Sequence, residues 1–260
     1  MTECWSRDLL ESDRRYFEAG AELVPIPGAV IAVLPGAANL AAGSVVQRID
    51  AEAAAADAEA WISLVEEALR DLGVPRARLY LDDPHPHPAL DAALRARGYR
   101  PRAEHGFTKA AASSEGFEIE LVPADDERSW SVRRELMDRQ NRGVDGHPID
   151  ADLWIELERR KHAAGYMRPY LIRAGGRIAG AVCAARCGAL LRMKNLVVDA
   201  DFRRRGVATA TAIRFAGIAR EEGLEATGCY ALAGEPGLVI YPRAGYGAAG
   251  VQTEWVRELG

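Results

Sequence analysis

The segment from Leu196 to Thr209 constrains this chain most, because it joins an apolar strand to a basic, glycine-containing helix start. Its strand is Leu196-Val197-Val198, and its helix start reads Arg203-Arg204-Arg205-Gly206-Val207-Ala208-Thr209. The first amides of a helix have no intrahelical partner, and the helix dipole adds partial positive charge there. A glycine permits close backbone approach, and arginines attract phosphate. The segment therefore predicts an anion cradle, the alternative being a solvated basic helix start.

Around this segment, the second half of the chain alternates strand and helix patterns. Gly175-Gly176 predicts a hairpin turn, Asp150 a helix N-cap and Gly223 a helix C-cap. The predicted strands are 117–122, 168–173, 177–185, 189–198, 224–232 and 249–258, and the predicted helices are 126–139, 151–163, 206–222 and 236–243. This mixed order predicts an α/β or α+β fold.

The first half repeats part of that order. Its predicted strands are 23–34, 44–49, 76–81 and 104–109, and its predicted helices are 53–72 and 88–97. Gly98-Tyr99 corresponds to Gly245-Tyr246, which suggests an internal duplication with a period of roughly 145 residues. The small and polar residues of 110–116 predict a linker between domains at 1–112 and 116–260. An unrelated first domain is the alternative.

Two motifs of the second half resemble those of the Gcn5-related N-acetyltransferases, the GNAT family. Arg203–Ala208 fits the family's motif A, Q/R-x-x-G-x-G/A, without gaps, and Leu238–Tyr246 resembles its C-terminal L-Y-x-x-x-G-F/Y segment. The resemblance covers about residues 117–260. It implies a mixed, mostly antiparallel sheet flanked by helices, here duplicated. It also implies acetyl transfer from acetyl-CoA to a primary amine, by direct attack in a ternary complex and without a metal.

The resemblance also assigns roles to individual residues. It implies that the backbone of Leu196, Val197 and Val198 follows the pantetheine arm of the cofactor. The pyrophosphate would lie against Arg203, Arg204, Arg205, Gly206, Val207, Ala208 and Thr209, mostly through main-chain amides. Tyr241 stands where the family often has the general acid that protonates the departing thiolate. A tyrosine of the core is the alternative for Tyr241.

This sequence departs from the family pattern at two places. Gly234 stands where members often have a cofactor-contacting asparagine, and the strand Leu191–Leu196 lacks the carboxylate that often serves as general base. The base is then a water chain ending on Glu235, His147 or His162, and the sequence does not choose among them. Two other functions stay open. One is a non-catalytic acyl-CoA-binding or regulatory protein, and the other transfers aminoacyl groups from tRNA.

The corresponding place in the first half carries acids instead of arginines. Asp50, Glu52, Asp57 and Glu59 surround the start of the predicted helix, and glycine is missing there. Negative charge at a helix start repels phosphate. We therefore predict a degenerate first half without a cofactor loop, which walls the acceptor site. On the other side of that site, the loop 140–148 is expected to line it.

Composition excludes several classes of protein and partner. The 260 residues carry a net charge of -5, which disfavours nucleic-acid binding and counts against the tRNA-dependent alternative. The acidic N-terminus does not resemble a secretory signal, and Pro35 and Gly36 interrupt the uncharged stretch 28–47, so we expect no membrane partner. Cys4, Cys183, Cys187 and Cys229 do not have metal-site spacing, and the sequence allows Cys183 and Cys187 to sit on one short hairpin.

The remaining motifs and partners complete the prediction. The string Gly245–Gly250 matches G-x-G-x-x-G, but too little chain follows it for a dinucleotide fold. The His85–Pro88 run predicts a stiff exposed turn and no metal site. We expect a cytoplasmic monomer or homodimer with reduced thiols. Its acceptor would be a small-molecule amine or a peptide amine.

Overall fold

The structure, a computed structural model, describes residues 2–40, 42–82, 87–113, 118–140 and 149–260. Its helices are α1 (Thr2–Glu18), α2 (Ala51–Ala56), α3 (Ala58–Asp71), α4 (Pro88–Ala96), α5 (Glu127–Gln140), α6 (Ala151–Ala163), α7 (Val207–Glu221) and α8 (Gly237–Arg243). Its strands are β1 (Glu22–Ile26), β2 (Ala29–Val33), β3 (Ser44–Gln47), β4 (Arg76–Leu81), β5 (Arg100–Ala110), β6 (Ile119–Pro123), β7 (Met167–Ala174), β8 (Arg177–Cys187), β9 (Leu190–Val198), β10 (Ala226–Leu232) and β11 (Gly247–Glu258).

The chain forms two compact units. The C-unit consists of Met1–Asp13 and Gly106–Ala249, and the N-unit of Arg14–His105 and Gly250–Gly260. Both ends of the chain thus belong to the unit built mainly from the other half. The ranges 1–112 and 116–260 remain a prediction of where evolutionary domains begin and end, and part of the predicted linker lies outside the described residues.

In the N-unit, strands β1, β2, β3, β4 and β11 follow one another in that order. The neighbours β3 and β4 are parallel, and the other pairs are antiparallel. Helix α3 buries Ile62 and Leu69 against the sheet residues Val46 and Leu79 in one apolar core. Burial of such side chains supplies most of the folding free energy.

Two predicted elements of the N-unit are wrong in detail. The predicted strand 23–34 is the hairpin of β1 and β2, because Gly28 turns the chain with a φ of 72°. The predicted helix 53–72 is two helices, because the Asp57 carboxylate caps a new helix start at α3. Helix α1 was not predicted.

In the C-unit, the strand order is β5, β10, β9, β8, β7, β6. Only β9 and β10 form a parallel pair among the pairings described there. Helix α7 packs Phe215 and Ala219 against Leu191 and Met193 of β9. The structure thus confirms the predicted mixed, mostly antiparallel sheet flanked by helices.

The predicted elements of the second half are confirmed, with small shifts at their ends. Asp150 caps α6 by accepting from the Leu153 amide at 3.0 Å, and Gly223 follows α7 with a φ of 68°. Cys183 and Cys187 both lie on β8, which forms a hairpin with β9 across the turn at Gly188. Phe117, where β6 was predicted to begin, lies outside the described residues.

None of the helices in the described part of the chain combines the length and apolar character that a bilayer-spanning helix needs.

Candidate active site

A gap opens between the neighbouring strands β9 and β10. Their parallel pairing joins Ala226, Thr227 and Gly228 to Leu190, Leu191 and Arg192. The described pairing stops there, although β9 continues to Val198 and β10 to Leu232. Leu196–Val198 therefore present one backbone edge without a β10 partner, and an extended ligand can hydrogen-bond to such an edge.

An irregularity in β9 accompanies the gap. Asn195 has a φ of 54°, and the register with β8 shifts between Ala181 and Cys183. Left-handed backbone is costly for most residues and is tolerated best by glycine, asparagine and aspartate. The Asn195 amide donates to Glu158 Oε1 at 2.9 Å. This hydrogen bond ties the bulge of β9 to helix α6.

Glu158 is itself held in a buried network. Arg133 Nη2 donates to Glu158 Oε2 at 2.6 Å, and the Trp154 indole donates to Oε1 at 3.2 Å. The thiol of Cys183 lies against both charged groups, and burial raises its pKa well above the usual range. Sequence reasoning missed Glu158 and Asn195, because their partners come from separate elements.

The start of α7 forms a backbone concavity beyond the end of β9. Arg204 and Gly206 have φ values of 58° and 81°. Gly206 is the N-cap, and the helix has neither a side-chain cap nor an acidic first turn. A Cβ placed on Gly206 would meet nothing within 4 Å, so the backbone there is open to a ligand. Alternating backbone conformations of this kind turn successive amides towards one anion.

The predicted arginines divide into one anchored and two exposed side chains. Arg203 is half-buried, and its Nε donates to the Val198 carbonyl at 3.4 Å. Arg204 and Arg205 are exposed beside Gly206, and Arg205 stacks on the Phe202 ring with 5.7 Å between its guanidinium carbon and the ring centroid. The structure therefore brings two exposed cations to the open helix start.

The other predicted residues at this helix start contribute little side chain. Val207 is buried in the core, whereas Ala208 and Thr209 are half-buried. Their backbone amides belong to the first turn, where intrahelical acceptors are missing. Leu196, Val197 and Val198 are likewise half-buried along the gap.

Tyr241 of α8 lies in the core beside β10. Its ring contacts Phe107 and Tyr246, with centroids 5.7 Å and 5.9 Å away. Burial raises the pKa of Tyr241 well above its usual range, and the neighbouring Cys229 thiol adds to this shift. A Cβ on Gly237 would come within 2.9 Å of Tyr241 Cε2, so the ring position depends on that glycine. Tyr241 is therefore a protonated phenol, and its packing is equally that of a core residue.

The candidate general bases differ in their surroundings in the structure. The His162 imidazole is engaged, because its Nδ1 lies 2.8 Å from the Met167 carbonyl. Glu235 is exposed at the turn after β10, and Gly234 has a φ of 87° with open space around it. His147, the whole of the loop 141–148 and His85 lie outside the described residues.

A second buried polar cluster lies on β9 itself. Asp13 Oδ1 accepts from Arg192 Nη2 at 2.9 Å and from Lys194 Nζ at 2.6 Å. Lys161 of α6 is fully buried nearby, and burial, reinforced by the charge of Lys194, lowers its pKa to about 7. The alternation of Leu191 and Met193 with these cations was visible in the sequence, but nothing local pointed to Asp13 or Lys161.

The corresponding helix start in the N-unit has carboxylate caps. Asp50 Oδ1 accepts from the Ala53 amide at 3.0 Å, and Asp57 Oδ1 accepts from the Ala60 amide at 3.2 Å. Glu59 forms an ion pair with Arg97 at 3.0 Å. The predicted acids therefore satisfy the helix-start amides of α2 and α3 within the chain.

Comparison with known proteins gives one family and one fold. The sequence model described as the Acetyltransferase (GNAT) family matches residues 130–234. No curated protein matches the sequence. A conserved protein of unknown function from Staphylococcus epidermidis is similar in structure, with a TM-score of 0.66 and 11% identity over 92% of this chain and 95% of its own.

Two further solved structures carry the family in their descriptions. A GCN5-related N-acetyltransferase from Kribbella flavida has a TM-score of 0.64 and 13% identity, covering 100% of this chain and 96% of its own. A tandem GNAT protein from the clavulanic acid biosynthesis pathway has a TM-score of 0.56 and 13% identity, covering 89% and 78%. At these identities the likeness shows the fold alone.

Proposed function

Because this chain carries an acetyltransferase domain of the GNAT family over residues 130–234, we propose that it transfers an acetyl group from acetyl-CoA to a primary amine. The observation that carries the proposal is the open start of α7, where Gly206 lacks a side-chain cap and Arg204 and Arg205 are exposed. It lies directly beyond the β9 segment that β10 leaves unpaired. A helix start of this kind favours a diphosphate.

The residues present fit acetyl-CoA as a co-substrate. Amides of Val207, Ala208 and Thr209 would bind the pyrophosphate, with Arg203, Arg204 and Arg205 adding positive charge. The backbone of Leu196, Val197 and Val198 would hydrogen-bond the pantetheine arm. When bound, acetyl-CoA supplies an activated acyl group as a thioester.

The reaction requires the protein to position the amine and the thioester and to transfer a proton. The amine nitrogen attacks the thioester carbonyl carbon, the carbon–sulfur bond breaks, and the amine loses one proton to solvent or a base. Tyr241 would donate its phenolic proton to the departing thiolate and regain one from solvent, and its raised pKa keeps the phenol protonated until the thiolate forms. Holding both reactants in the gap makes the attack effectively unimolecular.

A second candidate is a protein that binds acyl-CoA without turning it over. Three observations favour it: Tyr241 is packed in the core, β9 carries no carboxylate, and Glu158 is already paired with Arg133.

In either case we place the protein in the cytoplasm, which the free thiols of Cys183, Cys187 and Cys229 support.

Thermal unfolding with and without acetyl-CoA tests binding, and release of free CoA thiol with a panel of amines tests turnover. At a hundredfold excess over Kd, we expect acetyl-CoA to stabilise the protein by about 2.7 kcal/mol. Release of CoA with at least one amine supports the transferase. Stabilisation without release across the panel supports the non-catalytic protein, and neither effect overturns both.

The Tyr241→Phe variant separates the roles of Tyr241. It keeps the ring that packs on Phe107 and removes the proton. We expect unchanged acetyl-CoA binding and a fall in turnover of about a hundredfold, the usual contribution of a general acid. Unchanged turnover would make Tyr241 a core residue.

A further inference from the structure

The guanidinium of Arg192 is buried with only part of its hydrogen-bonding capacity used. Its side chain is 2% exposed, and its Nη2 donates to Asp13. In the described part of the chain, its Nε and Nη1 atoms have no hydrogen-bond partner. A buried cation whose donors have no hydrogen-bond acceptor is energetically unfavourable, and such donors usually hydrogen-bond to a ligand or to water.

Two lysines lie close to Arg192. Lys194 donates to the same Asp13 oxygen as Arg192, so two cations share one acceptor atom. Lys161 adds a third nitrogen nearby, and its lowered pKa reflects burial first and the charge of Lys194 second. The Arg192 guanidinium also lies over the Tyr230 ring, 4.7 Å from its centroid, which leaves its edge groups free for a planar anion.

The cluster lies where the gap between β9 and β10 closes. Arg192 is the β9 partner of Gly228, the last paired residue of β10. Leu191 and Met193 pack with α7, so Arg192 and Lys194 point to the other face of the strand. Cys229 follows Gly228 and packs with Tyr241 in the core on the α7 side of the sheet. An anion held by Arg192 would therefore lie on the opposite face of β9 from the proposed general acid, at the closed end of the gap.

We propose that Arg192, Lys194 and Lys161 form a carboxylate-binding subsite for the acyl acceptor, so that the acceptor carries both an amine and a carboxylate. This inference rests on the proposed function for its substrate. Lys194 is 19% exposed, whereas Arg192 is closed off, so the carboxylate enters past Lys194. A carboxylate matches the donors of a guanidinium and an ammonium without the charge excess of a phosphate.

The test compares amines that differ only at the carboxylate. Standard amino acids and their α-carboxamides serve as matched acceptors, with release of CoA thiol giving kcat/KM. We expect the acids to be preferred at least tenfold, as for a charge-assisted hydrogen bond. Equal rates for acids and carboxamides overturn the subsite.

Two variants assign the preference to the cluster. Lys194→Gln keeps the length of a half-buried side chain, and we expect it to lower kcat/KM for the acids about tenfold and leave the carboxamides unchanged. Arg173→Gln, on the exposed surface of β7, is the matched control and should alter neither. An equal loss for acids and carboxamides in Lys194→Gln overturns the assignment.

A binding measurement keeps this inference distinct from the proposed reaction. Calorimetry of acetate and of the amino acids with the wild type and with Lys194→Gln needs no turnover. Binding of the amino acids that weakens about tenfold in the variant supports the subsite even if no acetyl transfer occurs. Binding of acetate alone, or of neither, overturns it as an acceptor site.

Discussion

Helix starts that follow a strand differ in chemistry between the two units. In the N-unit, Asp50 and Asp57 accept from the first-turn amides of α2 and α3. In the C-unit, α7 begins at Gly206 without a side-chain cap, and exposed arginines lie beside it. A carboxylate cap stabilises a helix and removes its affinity for anions, whereas an uncapped start retains that affinity at some cost in stability.

One buried arginine of each unit, Arg78 and Arg192, shows a related difference. Arg78 of the N-unit donates to Glu254 Oε1 at 2.6 Å, and Arg102 donates to Oε2 of the same carboxylate at 2.8 Å. Arg192 of the C-unit shares Asp13 with Lys194 and retains nitrogen atoms without a partner in the described residues. Arg78 and Arg102 thus share one carboxylate, whereas Arg192 keeps two donor atoms that a ligand can use.

The largest effect is expected from a negative charge at the open helix start. Gly206→Glu should abolish the stabilisation by acetyl-CoA, a loss of about 2.7 kcal/mol at a hundredfold excess over the wild-type Kd. Gly223→Glu is the matched control, because Gly223 also has a positive φ and open space at the other end of α7. Thermal unfolding with acetyl-CoA compares them, and an undiminished shift in Gly206→Glu would contradict the anion cradle.

The second-largest effect is expected from removing the buried charge of Lys161, which should change the free energy of unfolding. Lys161→Met is expected to raise the free energy of unfolding at pH 6 by roughly 1–3 kcal/mol, because a desolvated ammonium near Lys194 is unfavourable. The folded pKa is about 7, whereas an unfolded lysine titrates near 10.4, so between these values the unfolded chain holds the extra proton. Wild-type stability should therefore rise with pH across that window.

Denaturant unfolding of wild type and Lys161→Met at pH 6, 8 and 10 measures this difference. The gain from the substitution should be largest at pH 6 and should shrink towards pH 10. A destabilised variant at every pH would mean that the Lys161 ammonium is well satisfied in the folded protein.

The capped helix start should respond in stability and not in binding. Asp50→Ala is expected to cost about 1 kcal/mol of unfolding free energy, because the Ala53 amide loses its acceptor. The shift produced by acetyl-CoA should stay as in wild type. A variant that bound acetyl-CoA less tightly would break the contrast between the two helix starts.

The smallest effect is expected from the exposed arginines. Arg204→Gln should weaken acetyl-CoA binding about threefold, since exposed charges contribute roughly 0.5–1 kcal/mol and are screened by salt. Titrations at low and high ionic strength should show the difference shrinking as salt rises. An effect independent of salt would point to a direct, buried contact.

The sequence predicted local features well, where neighbours along the chain decide the structure. Asp150, Gly206 and Gly223 marked helix ends that the structure confirms, and Gly175-Gly176 marked the turn between β7 and β8. The predictions for residues 23–34 and 53–72 merged two elements each, because apolar character continues across the turn at Gly28 and across Asp57. Helix α1 was missed because its buried face shows only against other elements.

The candidate site was predictable only in its contiguous part. The helix start at 203–209 is one run of sequence, so its basic, glycine-containing character could be read from residue types alone. Glu158 meets Asn195, and Asp13 meets Arg192, across long stretches of chain. Such pairs depend on which elements pack against each other in the fold, and a single sequence does not give that information.

The sequence by itself determined the element order of the second half, the open basic helix start and the acidic caps of the N-unit helices, because hydrogen bonding and charge at a helix end involve adjacent residues. Tertiary structure alone decided that the ends of the chain, Met1–Asp13 and Gly250–Gly260, join the units built mainly from the opposite halves. It also decided that Asp13 is the carboxylate between Arg192 and Lys194. The free energy of burying apolar faces selects those long-range contacts, and the polar groups buried with them must then find partners wherever packing has placed them.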